Sequence, residues 1–211
     1  SRYPGLGPAK TGSARMPNNK FVWEEGDVEV IDTADMRLLD DKWRFIHSQI
    51  EASSVIASLQ RANVYVAKVS DEHRGQLRSV LGSELQRIGV RYGKSVMELD
   101  HVRNIEELAL LISKRCRPAL VDGRFRIGVA QKTLNLYLKY LWCLRRIPMP
   151  PHCPFDSRIM AHIPGSEDVA WTKLARVQEY EDLVAAAKRA AGGKPLAEWE
   201  LILYNYVSSG A

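Results

Sequence analysis

From Thr33 onward the apolar positions recur at spacings of three and four, the period that turns one face of an α-helix toward a core. Met36, Leu39, Trp43, Ile46 and Ile50 form the first such stripe, with Asp32 or Thr33 as a helix-starting side chain ahead of it. The same reading predicts helices over 35–62, 72–92, 105–116, 132–146, 171–191 and 196–207, separated by Gly, Pro or Asn breaks. Gly192-Gly193-Lys194-Pro195 is the plainest seam, glycine ending one helix and proline standing near the start of the next.

Two stretches precede this pattern. Residues 1–19 are rich in Gly, Pro, Ser and Asn, a composition that cannot offset the entropy of ordering, and are expected to form a flexible arm. Residues 20–32 alternate partly with period two around Glu25-Gly26-Asp27, which predicts a short β hairpin or strand pair. The expectation is therefore a mainly α fold, one helical domain over 20–211, with the helices in a two-lobed bundle around a cleft.

Composition adds little, but the distribution of charge adds more. With 45% hydrophobic and 26% charged residues in 211, the chain can bury a sizeable core. The net charge of +5 is compatible with a polyanionic partner without requiring one. Between Ser113 and Arg146, however, nine basic residues face a single acid, Asp122. Such a segment is either a solvated face or a phosphate-binding surface. The three cysteines have neither pairwise metal spacing nor a histidine set beyond the adjacent His152, so no metal or other cofactor is expected. No run of eighteen apolar residues is present, which predicts a soluble, cytoplasmic protein with no membrane partner, expected to be a monomer.

Candidate chemistry concentrates in residues 124–160, RFRIGVAQKTLNLYLKYLWCLRRIPMPPHCPFDSRIM. Gly128 precedes a helix expected to begin at Gln131 or Lys132, a turn whose free N–H groups attract an anion unless it is only an interhelical turn. The following helix is apolar nearly all round, which places Lys132 at the first turn of a buried element. A partly desolvated lysine amine there is a usable nucleophile; the plainer alternative is a surface lysine with a buried stem. Asp156, beyond prolines 148, 150, 151 and 154, stands before a short apolar turn, where a carboxylate either caps a helix or faces the same cleft as Lys132.

The order of these residues resembles the helix-hairpin-helix DNA glycosylases, including the endonuclease III and 8-oxoguanine glycosylase branches. Their hairpin reads approximately L-P-G-V-G-x-K-T-A-N and is followed by an apolar helix and a V-D-x-H segment. Here Arg126 to Asn135 reads RIGVAQKTLN and Phe155 to Ile159 reads FDSRI, so Gly128, Val129, Lys132, Thr133, Asn135 and Asp156 fall on pattern positions. The chain departs from the pattern at Ile127, Ala130, Leu134 and Arg158, and in a Lys-to-Asp separation of 24 positions. It also lacks the cysteine-rich tail of the iron–sulfur branch.

The resemblance implies a helix-hairpin-helix at 105–160 and removal of a damaged or modified base from DNA. Lys132 would attack C1′ and form a Schiff base, giving lyase activity; Asp156 would stabilise the developing positive charge and help activate the amine. Gly128, Ala130, Gln131, Thr133, Arg124, Arg126 and Arg158 would contact DNA, and Tyr137, Trp142, His152 and Trp171 are candidates for the base pocket. Two other readings compete: a helix-hairpin-helix module that binds DNA without chemistry, and an all-α protein–protein adaptor.

Overall fold

The structure, a computed structural model, describes residues 33–166 and 169–208. The expected β hairpin at 20–32 and the arm at 1–19 lie outside these residues. Seven α-helices follow one another: α1 Thr33–Leu59, α2 Asp71–Gly89, α3 Glu98–Arg115, α4 Ile127–Cys143, α5 Ser157–Met160, α6 Val177–Ala191 and α7 Leu196–Ser208. The only β pairing among the described residues is an isolated antiparallel bridge between Tyr65 and Leu120. The fold is mainly α, and none of these helices is long and apolar enough to cross a membrane.

α4 is the centre of the core. Its Val129, Ala130, Leu134, Tyr137 and Leu138 are buried. They pack with Ile50, Val55 and Leu59 of α1, Leu81, Leu85 and Ile88 of α2, Ile105, Leu108 and Ile112 of α3, and Tyr180 and Leu183 of α6. A helix apolar on most of its circumference is stable only when surrounded, and here four neighbours surround it. The Gly192 seam behaves as expected: Gly192 ends α6 in the left-handed conformation that glycine adopts without strain.

Three boundaries and one buried face differ from the sequence reading. α3 begins at Glu98 rather than at Ile105, because His101 and Val102 are themselves buried in a stretch that reads as polar. The expected helix over 171–191 is broken into a single 3-10 turn, Trp171–Lys173, and α6, so that the carbonyl of Leu174 is turned away from helical pairing. The first half of α1 does not bury its predicted stripe: Leu39 and Ile46 are exposed, and regular core burial begins only at Ile50. Finally, α4 starts at Ile127, so Gly128 lies inside its first turn and Lys132 in its second.

Candidate functional site

Gly128 is needed for a close approach, not for a turn. A Cβ at this position would stand 1.7 Å from the carbonyl oxygen of Trp171, and the Gly128 N–H donates to the carbonyl of Leu174 at 3.0 Å. The next two N–H groups of α4, of Val129 and Ala130, donate to the carbonyl of Arg126. The start of α4 is therefore satisfied within the protein, which corrects the expected anion-binding role of Gly128. Ala130, Gln131 and Thr133 are likewise corrected as DNA contacts, since all three are fully buried; the Thr133 hydroxyl donates back to Val129 O at 2.8 Å.

What this tight seam does is bring the 171–174 turn against α4, next to Lys132. Lys132 Nζ lies 4.7 Å from the centre of the Trp171 ring, and the Trp171 indole N–H donates to Ser157 Oγ at 3.1 Å. Asp156 sits opposite. Its Oδ2 is 3.1 Å from Lys132 Nζ, while its Oδ1 accepts from the N–H groups of Arg158 and Ile159 and so caps α5. Both readings of Asp156 hold at once, one on each oxygen. The Lys132 side chain is 12% exposed and that of Asp156 30%, so the pair is reachable but partly desolvated.

The pair lies on the wall of a cavity of about 300 Å³ lined also by Arg61, Ser157, Arg158, Trp171, Thr172 and Tyr204. This size is at the lower end for a ligand site. Arg61, from the α1–α2 loop, and Tyr204, from α7, carry no sequence signal linking them to Lys132, and only the packing of α1 and α7 around α4 brings them there. Tyr204 is covered by cations: Lys139 Nζ is 4.3 Å and the Arg158 guanidinium 5.2 Å from its ring centre. α7 is anchored beside it by the buried Glu200, which pairs with the partly desolvated Lys139 at 2.7 Å.

Asp156 reaches its place through two residues whose positioning role the sequence did not reveal. The Gln131 amide donates to Phe155 O at 2.8 Å and accepts from Phe155 N at 3.2 Å. One turn on, Asn135 Nδ2 donates to Cys153 O at 2.9 Å. Together they clasp the irregular segment 153–155 along α4. Gln131 and Asn135 are one helical turn apart on the face that must meet this segment, which is the signal a reader could have used.

The remaining predicted residues go elsewhere. Tyr137 is buried with its hydroxyl 2.7 Å from His47 Nε2, and burial pushes its phenol pKa up. Trp142 lines a separate cavity with Arg145, Arg146 and Ile147, ten residues and about 15 Å along α4 from Lys132. His152 is buried between Tyr180, whose hydroxyl is 2.7 Å from Nδ1, and Glu98, and it borders a different cavity. These three are not part of the Lys132 cavity, whereas Trp171 and Arg158 are. Arg126 donates through Nη2 to the carbonyls of Ala62 and Asn63, and is committed to holding the α1–α2 loop. Arg124 is exposed but outside the cavity lining.

The basic run of the sequence is thus divided. Arg115 pairs with Glu84, Lys132 with Asp156 and Lys139 with Glu200, and Arg146 stacks on Trp43. It is not one continuous phosphate-binding stripe. Comparison of the chain with protein-family models, curated proteins and solved structures finds no match.

Proposed function

We propose that this protein is a DNA glycosylase with abasic-site lyase activity, in which Lys132 is the nucleophile and Asp156 its charge partner. The observation that carries this reading is the 3.1 Å contact between Lys132 Nζ and Asp156 Oδ2 on the wall of one open cavity. Residues 24 positions apart, singled out by their order in the chain, meet because the segment leading to Asp156 is folded back along α4 beside Lys132. In this reading α3, the turns at 117–123 and α4 correspond to the helix-hairpin-helix, and the helices form two lobes with the cavity between them.

The chemistry follows from the pair. Transfer of one proton from the Lys132 ammonium to Asp156 leaves a neutral amine. Attack on C1′ of the target nucleotide forms the Nζ–C1′ bond as the glycosidic bond breaks, and the base departs with the bonding electrons and takes up the proton held by Asp156. Transfer of the second Nζ proton to the ring oxygen as the C1′–O bond breaks and the sugar ring opens gives the protonated imine. Asp156, anchored through Oδ1 by two backbone N–H groups, passes the first proton to the departing base and so returns to the carboxylate, the fixed anion that opposes the positive charge at C1′. The target base must leave the stack to reach a cavity of this size.

The non-catalytic alternative, DNA binding by the hairpin alone, is disfavoured because the first N–H groups of α4 already have partners. Borohydride trapping on duplexes with an abasic site or a damaged base tests the proposal. Wild-type protein is expected to form a covalent adduct, Lys132→Ala none, and Asp156→Asn an adduct slowed by about a hundredfold or more. Undiminished trapping in Lys132→Ala refutes the assignment of the nucleophile.

A further inference from the structure

The first turn of α4 cannot hold a DNA phosphate, yet an enzyme acting on an extruded nucleotide must grip the backbone beside it. We propose that Arg61 forms a phosphate subsite at the Lys132 cavity, binding a backbone phosphodiester next to the nucleotide on which Lys132 acts. This inference rests on the glycosylase reading above.

Three features of the molecule support it. First, the cavity lining carries three cations, Arg61, Lys132 and Arg158, and one carboxylate, Asp156. Lys132 and Asp156 offset each other at 3.1 Å, so Arg61 adds positive charge to the lining where a phosphate would lie.

Second, Arg61 has no carboxylate partner among the described residues, a property it shares with other arginines such as Arg74 and Arg124, but unlike them it lines the Lys132 cavity. A guanidinium has a planar fork of donors suited to phosphate oxygens.

Third, the loop that carries Arg61 is fixed. Arg126 clamps the carbonyls of Ala62 and Asn63, Val121 N donates to Val64 O at 2.8 Å, and Val66 N donates to Ala119 O at 3.1 Å. Asn63 holds a positive φ of 44° to make this reversal. The backbone supporting Arg61 is therefore set before any ligand arrives, so only the exposed side chain itself must be ordered on binding. Arg126, part of the basic run, serves phosphate binding indirectly, as the positioning residue for Arg61.

The test measures affinity for a duplex containing a stable abasic-site analogue across a potassium chloride series. Arg61→Gln is expected to weaken binding roughly tenfold and to reduce the slope of log K against log salt by about 1, one phosphate contact. Arg61→Lys should keep the slope and lose part of the affinity. Arg44→Gln, the same charge change about 22 Å before the end of α1, controls for non-specific attraction. Equal slopes and affinities in Arg61→Gln and Arg44→Gln overturn the subsite.

Inorganic phosphate at matched ionic strength identifies the source of the phosphate. Failure to compete assigns the subsite to the backbone diester, whereas competition lost in Arg61→Gln moves it to a free or terminal phosphate. Covalent trapping with Arg61-independent binding refutes the subsite alone. Arg61-dependent binding without trapping on any substrate refutes the lyase reading alone.

Discussion

Gln131 grips Phe155 from both sides, donating to its carbonyl and accepting from its N–H across 24 positions of chain. The next residue in each direction completes the site: Lys132 follows Gln131 and Asp156 follows Phe155. The geometry of the Lys132–Asp156 pair is thus held by its immediate neighbours, in a fully buried position where water cannot substitute.

Truncation of this clamp should affect stability and chemistry together. Gln131→Ala leaves a buried N–H and a buried carbonyl unpaired, at a cost of about 2–4 kcal/mol. Urea denaturation should show that loss, and the trapping rate should fall as Asp156 moves away from Lys132. A variant with wild-type stability and rate would remove the positioning role.

Two glycines in helices should respond oppositely to alanine. Gly128→Ala forces a methyl into the carbonyl of Trp171, where only backbone movement can relieve the contact, and should destabilise by about 2 kcal/mol or more. Gly75, in α2, has open space around its would-be Cβ, so Gly75→Ala should stabilise by about 0.5–1 kcal/mol. Thermal melting of the two variants distinguishes these signs directly.

Acid should weaken the fold before the carboxylates titrate. Burial lowers the His152 imidazole pKa to about 4, against the contact with Glu98 that works the other way, and burial lowers neighbouring His101 as well. His152 is neutral in the fold and takes up a proton near 6.5 once unfolded. The unfolded chain therefore binds more protons, and stability falls as pH drops through 6.5, levelling near 4. The His152 share is about 3 kcal/mol. Denaturation midpoints measured across this window should decline steeply in wild type and less in His152→Gln; an equal decline would exclude His152 as a source.

The Lys139–Glu200 pair anchors α7 over α4. Burial raises the Glu200 carboxyl pKa and Lys139 draws it back, so the two charges depend on each other. Glu200→Ala should cost roughly 3–5 kcal/mol by leaving the ammonium unpaired, while the apolar double substitution Lys139→Met with Glu200→Leu should cost far less. A double-mutant cycle that sums to zero interaction would refute this account.

Much of the helical architecture was legible in the chain. The regular spacing of apolar residues in α2, α4 and α6, and the Gly-Gly seam before α7, announced elements close to those observed. Boundaries failed where tertiary contact outweighed local signal. α3 extends back through polar residues because His101 fits the core, and α4 extends back through Gly128 because the Trp171 turn needs the space. The exposed Leu39 and Ile46 show the converse, a helical stripe with no partner among the described residues. Of the residues lining the cavity, the sequence reading had singled out Lys132, Asp156, Arg158 and Trp171. Gln131 and Thr133 were assigned to DNA although their side chains are buried, and Arg61 and Tyr204 were not foreseen.

The sequence by itself determined that this is a mainly helical protein with one apolar central helix, and that a lysine near the start of that helix and an aspartate beyond its end follow in order. Helical periodicity and residue order are local properties, carried by spacing along the chain. The tertiary structure alone decided that the two side chains meet and that the start of α4 is closed to anions. It also decided that Arg61 and Tyr204 share the cavity. Those outcomes depend on contacts such as Gly128 with Trp171 and Gln131 with Phe155, between residues far apart in the chain, whose complementarity no local pattern encodes.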